Sequence, residues 1–356
     1  MNLDDLEAFA RCDPGGMHKW MMSLPQQCED AWEATRALEL PAEFRQARHV
    51  VIAGMGGSAI GGALLQALAA PECPVPITVV RDYTLPAYVR GPETLVIASS
   101  YSGGTEETLA AFDEARARGA QLLAQTSGGA LAERANAYGA PIVPMPVAAP
   151  APQPRAVVGY SFVTLAGIMH RLGFVGDKTA DVQEAAELTR SGTAQFRAET
   201  PAVRNPAKRL AGQLVGRIPA IYGAGLLAPL ARRWKGQFNE NAKTWCEFDV
   251  LPEQNHNAIA GILYPADLMT RVAVIVLVSA HYSPRIQRRC DVTRELLMQQ
   301  GILVDEVRAR GTSRLAQMLS ILQFGDFASF YLAMAYAVDP TPIPPIALLK
   351  QELART

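Results

Sequence analysis

The sequence predicts an α/β chain of two doubly wound parallel-sheet domains, αβα sandwiches related by internal duplication. Apolar runs end in glycine or serine turns that open helical patterns, twice in succession in the first half. The same turn signals recur in the second half. The chain has 356 residues, 49% of them hydrophobic, enough for two cores rather than one. We place the domains at residues 1–180 and 181–356.

The first unit reads as a buried strand from His49, the turn Gly54-Met-Gly-Gly-Ser and a helix beginning near Ser58. The second is a strand from Thr94 to Ser99 running into Ser100-Tyr-Ser-Gly-Gly-Thr-Glu-Glu. Thr105 is placed to cap a helix that ends at Gly119, where glycine takes the left-handed conformation readily. Ile52-Ala-Gly-Met-Gly then aligns with Ile221-Tyr-Gly-Ala-Gly, and Ser99-Ser-Tyr-Ser with Ala280-His-Tyr-Ser. From Gly56 to Ser102 is 46 positions and from Gly225 to Ser283 is 58, so the second copy is 12 longer between matching turns. That interval holds Glu240 to His256, a polar, proline-broken stretch that reads as burying little.

An Ala/Pro-rich run, Pro141 to Pro154, leaves the first sheet, and a polar helical stretch from about Asp177 to Pro206 joins the halves. Asp339-Pro-Thr-Pro-Ile-Pro-Pro stops one helix and starts a last short one, Ile346 to Ala354, with Leu348 and Leu349 facing a core.

Composition excludes several classes. Lys and Arg total 33 against 34 Asp and Glu, so no global basic field would hold nucleic acid or an anionic membrane. The acidic N-terminus lacks a signal-peptide pattern. The longest apolar run, Val272 to Val278, falls far short of the roughly 20 residues a membrane helix needs. Five scattered cysteines without a Cys-x-x-Cys pair point to a reducing cytoplasm and give no zinc signal.

A strand ending in Gly-x-Gly-Gly-Ser before a helix presents free N–H groups and the positive end of a helix dipole to one point, where a phosphate fits. Gly56, Gly57 and Ser58 form one such cradle, and Ser100, Ser102 and Thr105 add hydroxyls from the next strand end. A tight structural turn is the alternative reading. A dinucleotide fits less well, because Gly-x-Gly-x-x-Gly would require glycine at Ala59. In the second copy Ser283-Pro-Arg-Ile replaces the Ser-Gly-Gly-Thr turn, which favours one phosphate site per chain.

With these residues the chain resembles the sugar isomerase (SIS) domain proteins, and among them the bifunctional phosphoglucose/phosphomannose isomerases. The match rests on Gly54-Met-Gly-Gly-Ser-Ala-Ile-Gly-Gly, Ser100-Tyr-Ser-Gly-Gly-Thr-Glu-Glu-Thr-Leu, Asn239-Glu-Asn-Ala-Lys with Asn255-His-Asn, and Asp339-Pro-Thr-Pro before Leu348-Leu-Lys. Pro154-Arg155, followed by Gly159-Tyr-Ser, resembles a segment whose arginine lies in the family's active site. Gly104 departs from the asparagine common in that phosphate turn, and Pro344-Pro345 stiffen the approach to Lys350.

The resemblance implies an intramolecular oxidoreductase that interconverts glucose 6-phosphate, and mannose 6-phosphate, with fructose 6-phosphate through a cis-enediolate. Such chemistry needs a base beside a weakly acidic carbon, a proton shuttle at the ring oxygen and a positive group for the oxyanion, with no cofactor and no metal. Glu240 suits the base if Trp234, Phe238 and Trp245 desolvate it; otherwise it is a surface carboxylate paired with Lys243. His256 suits ring opening, with Asn255 and Asn257 fixing its tautomer, or else is a solvated loop histidine. Arg155 suits enediolate stabilisation, and Lys350 holding a sugar oxygen. Thr341 is the candidate for accepting mannose. The resemblance further implies a cytoplasmic homodimer with the active site at the interface, where the histidine comes from either subunit. A non-catalytic sugar-phosphate sensor, or an isomerase of another sugar phosphate, remains open on the same residues.

Overall fold

The computed structural model describes residues 2–146, 153–353 and 355. The central part of the Ala/Pro-rich run, residues 147–152, and the end of the expected last helix at Ala354 lie outside them. Helices α1 (Leu6–Cys12), α2 (Met17–Met22) and α3 (Leu24–Arg36) precede the first sheet. That sheet unit runs β1 (His49–Ala53), α4 (Gly56–Ala69), β2 (Ile77–Val80), β3 (Thr94–Ser100), α5 (Glu106–Ala117), β4 (Gln121–Thr126), α6 (Gly129–Tyr138) and β5 (Ile142–Pro144). Three helices follow, α7 (Val158–Arg171), α8 (Thr179–Phe196) and α9 (Pro206–Leu214). The second unit runs β6 (Ile218–Ala224), α10 (Ala228–Ala242), β7 (Glu247–Leu251), α11 (Ala266–Met269), β8 (Val272–Val278), α12 (Pro284–Gln299), β9 (Leu303–Arg308), α13 (Arg314–Ala335) and α14 (Pro344–Leu353).

Both sheets are wholly parallel, in orders β2-β1-β3-β4-β5 and β7-β6-β8-β9. The shared order about the first strand of each unit is the structural form of the sequence repeat. The repeat extends to the backbone: Gly56 and Gly225, at matching strand ends, have φ of 49° and 39°, where a side chain is disfavoured. Continuous apolar strands arise because helices cover both faces. Val50, Ile52, Leu95 and Ile97 face α3, α4 and α7, while Val51, Ala53, Val96 and Ala98 face α5 and α6.

The first of those cores runs on into the second sheet without a break. Helix α8 starts at Thr179, so the division drawn at residue 180 falls in its first turn, and α8 packs against both α3 and α13. Helix α13 has the length and apolarity to cross a membrane, yet 83% of its most apolar window is buried inside the protein. At Gly325 it admits the indole of Trp234, where an added Cβ would meet the ring nitrogen at 2.1 Å. Trp234 Nε1 donates to the Ile321 carbonyl at 3.0 Å, so α10 and α13 are fixed together at that level.

Three expectations change. The first cradle helix begins at Gly56 rather than near Ser58. The stretch from Glu240 to His256 is better packed than its polarity implies: it contains edge strand β7, and Asn241, Cys246 and Gln254 are fully buried. Leu348 and Leu349 do not face a core; they are 58% and 59% exposed on α14, which buries no residue in the chain.

His18 on α2 lies against Phe327 and Phe330 of α13, its Nε2 buried without a partner. Burial draws its pKa down to about 4 from 6.5, Glu199 opposes the effect and Lys208 adds to it. The unfolded chain therefore takes up this proton first, and the stability held above pH 6.5 is lost as pH falls through about 4. His18→Leu is expected to flatten that acid slope, by up to about 1.4 kcal/mol per pH unit. Melting curves between pH 7 and 4.5 check this, and identical slopes in both proteins would refute it.

Candidate active site

Helix α10 presents Arg232 and Arg233, Gly236 and Gln237, then Glu240 and Asn241 at spacings of three and four residues, hence on one face. That face is held from behind. Arg233 Nη2 donates to both Asp326 oxygens at 2.8 and 2.7 Å and to the Arg155 carbonyl at 2.9 Å. Gln237 Nε2 donates to the same carboxylate at 2.8 Å. Asp326 is buried on α13, and burial pushes its pKa up while Arg233 and Gln237 hold it down. Asn241 Nδ2 donates to Ser329 Oγ at 3.0 Å, and that hydroxyl donates to the Asp326 carbonyl at 2.8 Å.

Arg155, in the 3-10 turn Pro154–Ala156, is the junction. Its Nε donates to Asn241 Oδ1 at 2.9 Å, and Nη2 donates to the carbonyls of Pro340 and Thr341 at 2.6 and 2.9 Å. Nη1 donates to Gln153 Oε1 at 3.2 Å and stands 3.5 Å from Glu240 Oε2. Burial lowers the Arg155 pKa, Glu240 raises it and Arg233 lowers it again.

Glu240, with its side chain 32% exposed, faces a cavity of about 210 Å³. Gly56, Gly57 and Ile60 of α4 form one wall, Arg155 and α10 another, and Arg81 closes the rim. The apolar collar anticipated around Glu240 is absent: Trp245 is 72% exposed, and Trp234 and Phe238 sit in the core. Nor does Lys243 pair with the carboxylate. At φ 56° it ends α10, and Nζ donates to the backbone carbonyls of Glu240 and Pro340 at 2.6 and 3.3 Å.

Ser58, Ser100, Ser102 and Thr105 stand at adjacent strand ends, since β1 and β3 pair in parallel, but do not line this cavity. Ser100 Oγ and Thr105 Oγ1 are 2.9 Å apart, and Gly103 N donates to Ser100 Oγ at 3.1 Å. Thr105 occupies the cap position of α5 without making a side-chain cap bond. Its hydroxyl is turned toward Ser100 instead.

His256 ends the 3-10 turn Glu253–His256 beyond β7, exposed and outside the cavity. Its neighbours do not fix its tautomer. Asn255 Nδ2 donates to Gln254 Oε1 and Thr293 Oγ1, and Asn257 Nδ2 donates to Glu253 Oε1. Lys350 is exposed on α14. Thr341 Oγ1 is buried with no partner, beside Gly15.

One chain thus brings together Gly56, Gly57, Arg155 and Glu240, and leaves His256 and Lys350 apart. Sequence reasoning missed Arg81, Arg232, Arg233 and Asp326. The face of α10 was legible in its 3.6-residue spacing. Arg81 was not, because the four-residue strand before it hides between prolines; Asp326 reads as one acid in an apolar helix. A carboxylate beside a fixed guanidinium, across from a helix N-terminus, suits proton transfer next to a carbonyl on a phosphorylated substrate.

Residues 203–353 match the family model for the bacterial phospho-glucose isomerase C-terminal SIS domain. A bifunctional phosphoglucose/phosphomannose isomerase of Caldicellulosiruptor bescii is 39% identical over 95% of this chain and 99% of its own. One from Aquifex aeolicus is 34% identical over 86% of this chain and 90% of its own. Among solved structures, a hypothetical protein from Thermus thermophilus superposes with TM-score 0.74 at 18% identity, covering 98% of this chain and 93% of that one. That likeness shows the fold.

Asp326→Asn removes the charge facing buried Arg233. The expected loss is about 3 kcal/mol of unfolding free energy, since an unpaired buried charge is costly. Urea denaturation measures it, and a loss below about 1 kcal/mol would contradict the role given to this pair.

Proposed function

The chain belongs to the bifunctional phosphoglucose/phosphomannose isomerases, two parallel-sheet SIS units in one polypeptide, and on that premise we propose that it interconverts glucose 6-phosphate and mannose 6-phosphate with fructose 6-phosphate. The observation that carries this reading is the Glu240 carboxylate 3.5 Å from Arg155, across a small cavity from the Gly56–Gly57 turn. Glu240 takes the proton from C2 of the open-chain aldose, and the electrons of that C–H bond form the enediolate. Arg155 faces the oxyanion. The same proton, or one exchanged with solvent, returns to C1, and the hydroxyl proton leaves O2 as O1 gains one, so the step balances within the substrate. Ser58, Ser100, Ser102 and Thr105 with Gly56 and Gly57 hold the phosphate at the helix N-terminus. Thr341, whose carbonyl is held by Arg155, is the residue proposed to accept the sugar's C2 hydroxyl in either configuration.

The cavity of about 210 Å³ is smaller than ordinary ligand pockets, which run from about 300 Å³. His256 lies outside it, and Leu348, Leu349, Trp245 and Tyr264 are exposed. A homodimer accounts for all three observations: a second copy covers the apolar side chains, encloses the cavity and delivers His256 for ring opening. Lys350 reaches a sugar oxygen once α14 is packed. The division at residue 180 then separates a phosphate-gripping unit, 1–180, from a base-bearing unit, 181–356. Five free cysteines accord with a cytoplasmic setting.

Glu240→Gln is expected to lower kcat by about 10²–10⁴-fold in a coupled assay while leaving thermal stability near wild type. It should also stop solvent deuterium entering C1 and C2. Wild-type turnover in that variant would remove Glu240 as the base, and wild-type protein that binds fructose 6-phosphate without exchange would favour a sensor. Subunit origin is tested by mixing Glu240→Gln with His256→Ala protein. Random exchange of protomers restores about a quarter of wild-type activity if the histidine crosses the interface, and none if it does not.

A further inference from the structure

The second glycine turn opens onto a cavity of its own, about 600 Å³, between the C-terminal half of α4, the start of α10, the turn His281-Tyr282-Ser283 and the start of α13. Gly225 repeats the left-handed backbone of Gly56. Tyr282 locks the two turns together, its hydroxyl donating to the Leu277 carbonyl and accepting from Ala224 N at 3.0 and 3.1 Å. Where the first cradle has Ser58, the second has Leu227, so the neutral hydroxyl is gone.

Arg81, Arg232, Arg314 and His281 line this cavity, and among the described residues no Asp or Glu does. The chain as a whole is balanced, with 33 basic and 34 acidic residues, so the asymmetry is local. Among the described residues none of these three arginines makes an ion pair. Arg81 donates to the Ala59 carbonyl at 3.3 Å, and Arg232 lies over the Phe248 ring at 4.8 Å. Arg314 Nη2 donates to the Ala67 carbonyl at 2.8 Å while its Nε is buried without a partner. The carboxylate that acts on Arg314, Glu72, is engaged by Lys178 at 2.7 Å and by Gly176 N at 3.0 Å. Arg81 is shifted down by burial and then by Arg232, the mark of like charges held together without a counter-ion.

Three arginines without ion-pair partners, gathered where the repeated glycine turn opens on a cavity of ligand size, are more than a solvated surface patch. The geometry points to a second, non-catalytic site for a small phosphomonoester in the second half of the chain, its phosphate held by Arg314, Arg81 and Arg232 at the Gly225 turn. The doubly charged phosphate offers the acceptors that several guanidiniums need, which a single carboxylate does not. Phe248, Val250 and Ile286 supply apolar wall for the rest of the ligand.

Arg81 and Arg232 also line the catalytic cavity. An occupant of the second site therefore draws on two charges that the first one uses, and the two sites are coupled.

Calorimetric titration of the intact protein with inorganic pyrophosphate tests this. Wild type is expected to bind two equivalents per chain. Arg314→Gln removes one guanidinium, and Ile286→Trp fills the cavity from α12 without touching an arginine. Each should weaken one equivalent by about tenfold or more and spare the other, with isomerase kcat unchanged. A single equivalent in wild type, or two unaltered equivalents in both variants, overturns the second site. Should Arg314→Gln fail to fold, Ile286→Trp decides alone. Absence of isomerase turnover in wild type would overturn the catalytic reading instead and leave the stoichiometry to stand or fall separately.

Discussion

The site depends on one buried guanidinium. Arg155 joins three segments that are remote in sequence, the turn at 153–155, helix α10 and the backbone at 340–341, through donors that nearly all have fixed acceptors. Burying a cation costs several kcal/mol, so these acceptors are what make its position stable. They also leave little freedom. Nε and Nη2 are committed to Asn241 and to two carbonyls, and only Nη1 faces the Glu240 carboxylate. The positive charge is thereby aimed at the cavity before any ligand arrives, which is the condition for stabilising charge that develops there.

That arrangement needs a rigid back wall, and α13 provides it. Asp326 and Ser329 hold Arg233, Gln237 and Asn241 in a connected set of hydrogen bonds, while Trp234 seats against Gly325 one turn away. Polar fixation on one side of α10 and close apolar packing next to it set both the rotation and the height of the helix. Glu240 is then presented from an element that cannot easily turn. The contrast with His256 and Lys350 is physical: each stands on a short segment with solvent on its outer face, and among the described residues nothing directs it.

Much of this was legible in the sequence because strand-to-helix glycine turns have few alternatives. The parallel sheets and the repeat follow from turn chemistry, whereas a common place for Arg155 and Glu240 was implied only by the family resemblance. Three kinds of feature were not legible. Asp326 carries no local signal, since its role arises from a helix 93 residues away in sequence. The surroundings of Glu240 were misread because Trp245, apolar by type, points to solvent while arginines take the near positions. Leu348 and Leu349 were assigned to a core because apolarity in a sequence does not say whether a side chain is covered.

Duplication explains why the two halves are alike and also why they need not act alike. Both keep the left-handed glycine at the end of the first strand, because the turn itself requires it. Around that fixed turn the lining is free to change. At the first turn Gly56 and Gly57 face a carboxylate, Glu240, among Arg81, Arg155, Arg232 and Arg233. At the second turn Leu226 and Leu227 stand where the first has Gly57 and Ser58, and the cavity there has Arg81, Arg232 and Arg314 but, among the described residues, no carboxylate. Each such charge destabilises the empty fold through mutual repulsion, in a chain otherwise balanced to a net charge of −1. Arg81 and Arg232 line the cavity beside Glu240 as well as the second one, which leaves one of the three. Arg314 is the one that cavity does not explain, since it lines the second cavity alone, and it is the residue on which the meaning of the second half turns.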